Sequence, residues 1–194
     1  MFYVIGLGNP GIEYEDSRHN TGKMAVEFFA KKNNSKKIKI IESREFMNNS
    51  GKAVAKFIKP PAFAKATAGK EKLKKSRSLE NLIVVHDDID LPLGTIKISY
   101  NKGTGGHRGL DSVVKAVKTK EFVRVRIGIS PPASAKATAG KVKKPQGEKA
   151  VIDFILSKFK SAEMEIMKKT FKKVSEAIQT IVTDGRDRAM NMFN

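Results

Sequence analysis

With 194 residues and 40% hydrophobic side chains, the chain is long enough to form one domain with its own core. It has no Cys, which excludes disulfides and thiolate catalysis, and it has neither an apolar run of membrane-spanning length nor a signal-peptide pattern, so we expect a cytoplasmic protein with no membrane contact. A formal net charge of +18 indicates a polyanionic partner, most simply nucleic acid, because each neutralised phosphate releases counterions.

The first predicted element is a strand at residues 2–5 that runs into a turn rich in Gly, Asn and Pro. The glycines of residues 6–11 match the G-x-G-x-x-G turn of dinucleotide-binding domains, with Glu42 as a ribose ligand. Such domains open their helix within the glycine motif, whereas residues 11–18 lack the apolar spacing of a helix. A dinucleotide-dependent oxidoreductase is therefore the weaker interpretation of this loop.

His19 ends the loop, directly before a predicted helix that Asn20 or Thr21 caps and that carries apolar side chains within residues 24–29. The positive end of the helix dipole disfavours the protonated imidazole, and a neutral ring can accept a proton. His19 is therefore a candidate general base. The alternative is a histidine that only forms hydrogen bonds within the turn.

A polar junction follows a predicted strand at residues 37–41 and precedes a second predicted helix at residues 53–58. Asn49 or Ser50 is the expected N-cap of this helix, since short polar side chains accept hydrogen bonds from its first free N–H groups. The neighbouring Asn48 then remains available to contact a substrate.

The stretch at residues 60–70 returns, with one change, at residues 131–141. Two copies so far apart cannot build a solenoid, which needs several stacked repeats. Both copies are poor in large apolar residues and are followed by lysines. We therefore expect surface insertions at about residues 60–76 and 131–147 in a single domain that spans residues 1–194.

A continuous apolar run at residues 82–85 predicts a central strand, and an acidic cluster follows it directly after His86. Together with His86, the carboxylates of Asp87, Asp88 and Asp90 are candidate ligands for Mg²⁺ or Mn²⁺. A second interpretation is that one of them orients a histidine and stabilises its protonated form during a reaction. A solvated turn is the third.

The second half of the chain predicts further strands and helices, at residues 95–99, 110–117, 122–129, 151–156 and 167–181. The glycine-rich loop at residues 103–109 opens one of these helices, and its basic side chains suit a phosphate. Arg124 and Arg126 share one face of their strand, since they are two residues apart.

Because strands and helices alternate along the chain, we expect the α/β fold class, as a single three-layer domain with a mixed twisted sheet and helices on both faces. Ligands of such sheets bind where strands end and loops converge. We expect the functional site where four loops meet, at residues 6–22, 46–51, 87–94 and 103–109.

Several motifs, in this order along the chain, resemble those of bacterial peptidyl-tRNA hydrolases. They are Gly6-Leu-Gly-Asn-Pro-Gly11, Arg18-His-Asn20, Phe46-Met-Asn48, His86-Asp-Asp-Ile-Asp-Leu-Pro92, Gly105-Gly-His107 and Arg124-Val-Arg-Ile-Gly-Ile129. The resemblance covers most of the chain outside the two repeats. It implies an enzyme that hydrolyses the ester bond between peptide and tRNA in peptidyl-tRNA and so recycles tRNA from aborted translation.

The same resemblance implies a catalytic role for three residues. His19 is the general base on the attacking water, Asp87 supports its basic form, and Asn9 contacts the peptide part of the substrate. The reaction needs no metal ion and no cofactor. We expect a cytoplasmic monomer whose partner is peptidyl-tRNA.

By the same resemblance, Tyr14, Phe46 and Asn48 line the pocket for the tRNA end. Arg108 stands where the family usually has Asn, and we expect its guanidinium to bind a terminal phosphate. The segment 23–45 is also shorter than usual for the family, as though a pair of strands were missing. These departures favour the alternative of a catalytically inactive tRNA- or RNA-binding protein, whereas the presence of both catalytic side chains favours the enzyme.

Overall fold

The computed structural model describes residues 1–58, 79–131, 142 and 144–194. Within these ranges, five strands form one sheet: β1 (Phe2–Gly6), β2 (Ile38–Ile41), β3 (Leu79–Pro92), β4 (Ile96–Tyr100) and β5 (Phe122–Ser130). The strand order is β2-β1-β3-β5-β4, and only β4 runs antiparallel to its neighbour. The predicted mixed sheet is therefore confirmed.

The described helices are α1 (Thr21–Ala30), α2 (Ser50–Ala55), α3 (Arg108–Val117), α4 (Glu148–Leu156), α5 (Ser161–Thr183) and α6 (Arg186–Phe193). One cluster of buried apolar side chains joins α1, α5 and α6 to one face of the sheet, and a second joins α2 and α3 to the other. The predicted three-layer α/β arrangement is therefore confirmed. None of the described helices is long and apolar enough to cross a membrane.

The central strand β3 is longer than the sequence predicts. Its apolar residues 82–85 are fully buried, as expected for a strand covered on both faces. The acidic cluster does not end it, because β3 keeps its pairing with β5 through Asp87 and Asp88. The side chains of this cluster therefore project from a strand rather than from a turn.

The predicted N-cap positions are confirmed, but the predicted cap hydrogen bonds are wrong. Asn20 and Asn49 occupy the N-cap positions of α1 and α2, but neither side chain forms a cap hydrogen bond. Asn20 binds the backbone of Asn9 instead, and the hydroxyl of Ser50 donates to the carbonyl of Met47. Both helices continue from a preceding 3₁₀ turn, which supplies their first hydrogen bonds locally.

Two strands form the edges of the sheet. The shortened segment 23–45 retains β2, which pairs with β1 and forms one edge. The other edge is β4, where the side-chain amide of Asn194 accepts from the N–H of Ile98 at 2.7 Å and donates to its carbonyl at 3.0 Å. Both copies of the repeat lie outside the described residues, apart from Pro131.

Candidate active site

A cleft of about 1060 Å³ opens beyond the end of β1 and beside the second half of β3. All four loops that the sequence places at the site border this cleft. Its lining contains all seven residues named as site candidates: Asn9, Tyr14, His19, Phe46, Asn48, Asp87 and Arg108.

Two glycines let α1 begin against the sheet. A Cβ on Gly22 would clash with the carbonyl oxygen of Val85, and a Cβ on Gly6 would clash with the carbonyl oxygen of Gly22. Only residues without a side chain allow the backbone of α1 to come this close to β1 and β3. This close approach brings His19, just before α1, next to Asp87, just after Val85.

His19 lies against the carboxylate of Asp87, with Nδ1 3.0 and 3.1 Å from its two oxygens. Both side chains are buried. Because a carboxylate only accepts hydrogen bonds, the proton of the neutral His19 ring lies on Nδ1, and Nε2 keeps its lone pair. The two residues are thus arranged as a base and the carboxylate that orients it.

A second histidine, His107, contacts the same carboxylate, with Nε2 3.1 Å from Oδ1 of Asp87. Its Nδ1 accepts hydrogen bonds from the N–H groups of Gly109 and Leu110 in the first turn of α3, at 3.1 and 3.3 Å. The helix therefore fixes the proton of His107 on Nε2 and makes this ring a donor to Asp87. The sequence pattern assigns no role to His107. Its position directly before a predicted helix is the feature that could have indicated a cap.

The charges of this cluster shift its pKa values in opposite directions. Burial alone lowers the pKa of His19, but the charge of Asp87 and its hydrogen bond outweigh burial and raise that pKa above 6.5. Burial raises the pKa of Asp87, but His19 and His107 outweigh it and hold that pKa well below its usual range. The Asp87 carboxylate, rather than the end of the helix, therefore determines the pKa of His19. The expectation that the helix dipole lowers this pKa is wrong.

His86 is buried in the wall of the cleft. Its Nδ1 is 2.7 Å from the carbonyl oxygen of Asp87, to which it donates, and its Nε2 has no partner among the described residues. Burial, followed by the charge of His107, lowers the pKa of His86 to about 3. His86 is therefore neutral at physiological pH, and it is too weak a base to take a proton from water.

The acidic cluster does not converge on a common point. Asp88 accepts a hydrogen bond of 2.6 Å from Arg126, and Asp90 forms an ion pair with Lys144. Asp87 is directed to the two histidines instead. This geometry argues against a Mg²⁺ or Mn²⁺ site built from the three carboxylates, which would have to share one ion.

His19, Asp87 and His107 are the group of described residues whose ligand atoms lie close enough to share a metal ion. A metal on Nε2 of His107 would require the ring proton to move to Nδ1. That proton would then face the two backbone N–H groups that Nδ1 now accepts from. The cap of α3 therefore disfavours a metal at this position.

Asn9 is oriented by its neighbours. Its Oδ1 accepts from the N–H of Met47 at 2.8 Å, and its backbone forms two hydrogen bonds with the side chain of Asn20, at 2.7 and 3.0 Å. The side-chain NH₂ of Asn9 is thus the group left to donate to a ligand. Asn20 holds the loop in place, a role that the sequence pattern, which placed it as a helix cap, did not predict.

The rim of the cleft carries an aromatic pair, Tyr14 and Phe46, packed edge to face with ring centroids 6.3 Å apart. Phe46 is 52% exposed, and Asn48 beside it is also exposed. An exposed aromatic surface next to an amide suits a stacked base.

Arg108 is the first residue of α3 and lies across the mouth of the cleft from α4. Its Nη2 is 3.5 Å from a carboxylate oxygen of Glu148, and its side chain is 68% exposed. Such an exposed pair contributes little to stability, so the guanidinium can exchange Glu148 for another anion.

Comparison with known proteins decides the family. The sequence model of the family described as peptidyl-tRNA hydrolase matches residues 3–194. The chain belongs to the peptidyl-tRNA hydrolase family. Two bacterial relatives named peptidyl-tRNA hydrolase are each 35% identical to it: that of Thermodesulfovibrio yellowstonii, over 100% of this chain and 99% of the relative, and that of Carboxydothermus hydrogenoformans, over 100% and 98%.

A solved peptidyl-tRNA hydrolase has the same fold. The structure from Acinetobacter baumannii matches with a TM-score of 0.71 at 26% identity, over 100% of this chain and 94% of that chain. Membership of the peptidyl-tRNA hydrolase family rules out the interpretation of the chain as a dinucleotide-dependent oxidoreductase. The glycine turn agrees, because it leads into 3₁₀ turns at Ile12–Tyr14 and Arg18–Asn20 and not directly into a helix.

Proposed function

We propose that the chain hydrolyses the ester that joins the peptide to the terminal ribose of tRNA in peptidyl-tRNA, with His19 as general base. Family membership supports the reaction, and the observation that carries the catalytic assignment is the buried contact of 3.0 Å between His19 Nδ1 and Asp87. A water oxygen attacks the ester carbonyl carbon as Nε2 of His19 takes its proton. His19 then returns the proton to the leaving ribose oxygen, which releases the peptide acid and tRNA.

Asp87 and Asn9 act on this reaction in different ways. Asp87 stays ionised, holds the proton of His19 on Nδ1 and stabilises the imidazolium that forms. The N–H of Met47 donates to Oδ1 of Asn9, which leaves the NH₂ of Asn9 to donate to the peptide carbonyl. A donor of this kind contributes about 10²-fold or more to the rate when the carbonyl oxygen gains charge.

The tRNA end of the substrate binds at the aromatic rim of the cleft. Tyr14 and Phe46 offer a stacking surface for the terminal base, and Asn48 offers an amide beside it. Arg108 exchanges Glu148 for a terminal phosphate. The net charge of +18 supports contacts to the rest of the tRNA backbone.

The monomer is the proposed functional unit, since one chain supplies every residue assigned above. The cytoplasm is the proposed location, because the substrate arises from translation. Sedimentation of the purified protein, alone and with tRNA, tests the oligomeric state.

Release of peptide from a blocked aminoacyl-tRNA tests the proposed function. We expect His19→Ala to lower the rate roughly 10²- to 10⁴-fold, the usual contribution of a general base, and to leave tRNA affinity unchanged. Equal rates for the variant and the unmodified chain would contradict the assignment. Binding without release by the unmodified chain would instead favour the inactive RNA-binding alternative.

A further inference from the structure

Helix α4 forms the apolar wall of the cleft, through side chains at residues 151, 152, 155 and 156. None of its residues is fully buried. Among the described elements, α4 packs most closely against the 3₁₀ turn Arg18–Asn20, which contains the general base. Phe154 and Ile155 pack against the first apolar cluster, but the closest backbone approach of α4 is to the turn next to His19.

The side chain of Arg18 supplies the polar part of those contacts. It is only 6% exposed. Its Nη2 donates to both carboxylate oxygens of Glu163 at 2.8 and 2.9 Å, its Nε to the hydroxyl of Ser157 at 3.2 Å, and its Nη1 to the carbonyl of Ile129 at 3.4 Å. One guanidinium thus joins the end of β5, the residue after α4 and the first turn of α5.

The same guanidinium also contacts two aromatic rings. Its central carbon lies 4.7 Å from the ring centroid of Phe154, in the last turn of α4, and 4.8 Å from that of Phe159. Cation and ring attract each other over such distances, more strongly when both are shielded from water. Arg18 therefore holds the end of α4 from the side as well as from its C-terminus.

We propose that Arg18 is a positioning residue that sets the distance between the α4 wall and His19 and so determines how tightly the cleft binds the peptide part of the substrate. The inference rests on the proposed function. Backbone contacts between residues 16–18 and 157–159 do not need the Arg18 side chain. His19 also keeps Asp87 without it. Loss of the side chain therefore weakens binding and spares the chemical step.

Arg18→Met tests this, because Met fills much of the space between the two rings but forms none of the hydrogen bonds. With N-acetyl-leucyl-tRNA as substrate, we expect KM to rise about tenfold and kcat to stay within about threefold, the pattern of lost uniform binding. The pH profile of kcat should not move. Amide hydrogen exchange at residues 148–156 should become faster, because α4 is less firmly held.

Arg186→Met is the matched control. Arg186 also pairs with carboxylates, those of Glu80 and Asp187, and lies 4.2 Å from the ring of Tyr100, but it does not line the cleft. This variant should keep the KM and the exchange rates of α4. Arg18→Lys keeps the positive charge near Glu163 but cannot form the hydrogen bonds of the planar guanidinium, so it should give an intermediate KM. The same variant replaces Arg18→Met in the test if Arg18→Met does not fold.

An unchanged KM in folded Arg18 variants would overturn the proposal. So would a fall in kcat with unchanged KM, because Arg18 would then act through His19. Unchanged exchange at α4 would overturn it as well, and this measurement needs no substrate. Failure of the unmodified chain to release peptide would instead count against the proposed function, which keeps the two failures distinguishable.

Discussion

Asp87 accepts hydrogen bonds from two histidines that differ in what fixes their protons. The first turn of α3 locks the proton of His107 on Nε2, so this ring can only donate to the carboxylate. No described residue forms a comparable hydrogen bond with the far nitrogen of His19. The two rings therefore have different roles: His107 holds the carboxylate in place, and His19 is free to gain and lose a proton.

The pH profile of the reaction should show this arrangement. Since the pKa of His19 is raised above 6.5, the protonated and inactive form persists to a higher pH, and kcat/KM should rise with a midpoint above 6.5. In Asp87→Asn the charge is lost but burial remains, so the midpoint should move to lower pH. The plateau rate should fall roughly 10²- to 10⁴-fold, because an amide nitrogen beside Nδ1 favours the proton on Nε2, the atom that must accept one.

Steady-state rates between pH 5 and 9, about the range over which histidine titrates, check both effects. His86→Gln is a useful comparison, since His86 is neutral throughout this range. An undiminished plateau in Asp87→Asn would move the supporting role to another carboxylate. A midpoint that does not shift would show that Asp87 does not control the pKa of His19.

Arg108 should act on binding and not on chemistry. We expect Arg108→Asn to weaken tRNA binding. The slope of log Kd against log salt should fall by roughly 0.7 to 0.9, which corresponds to the loss of one phosphate contact. The single-turnover rate should be equal or faster. Glu148→Gln should strengthen binding, because it removes the anion that competes for the guanidinium. If Arg108→Asn binds equally well but reacts more slowly, Arg108 belongs to the catalytic residues.

At the scale of elements, the site depends on how closely α1 approaches the sheet. Gly22→Ala should destabilise the fold by about 2–3 kcal/mol, because the new methyl group meets the backbone of Val85 and cannot be accommodated by a side-chain rotation. It should also lower activity in the remaining folded protein by moving His19 from Asp87. Chemical denaturation with parallel rate measurements checks both.

Gly103→Ala is the control for this change, since nothing lies within 4 Å of a Cβ at that glycine. It should be neutral within about 0.5 kcal/mol. Equal stability of the Gly22 and Gly103 variants would show that α1 can move away from the sheet without loss.

The elements that the sequence predicts correctly are those with a clear apolar period. The buried run of β3 and the stripe of α5 are examples, because their spacing reflects which face is covered. The second half of β3 escaped prediction because polar side chains at a site do not follow that period. Helix α6 escapes prediction because a glycine such as Gly185 usually ends a helical region, whereas its φ of 92° here redirects the chain into another helix.

For the site, sequence motifs placed seven residues in one cleft but did not predict what orients them. Arg18, Asn20 and His107 act through partners that are distant in the chain or through backbone groups, and no local pattern encodes such contacts. The position of each residue in a motif was informative, but its hydrogen-bond partners depend on tertiary structure.

For the molecule as a whole, the charge should dominate tRNA affinity. We expect Kd to rise steeply with salt and to vary little with the nucleotide sequence of the tRNA body, because Lys and Arg contacts to phosphate carry no base information. Titrations of several tRNAs at increasing salt measure this. A flat plot of log Kd against log salt would contradict it.

The contact of Asn194 with β4 has a consequence for self-association. An open sheet edge is a template on which strands of other molecules can add, and β-aggregation often begins there. In this protein the N–H and C=O of Ile98, in the middle of that edge, are already occupied by a side-chain amide that imitates the next strand. A strand from another copy would first have to displace Asn194, so this side chain protects the edge from edge-to-edge polymerisation.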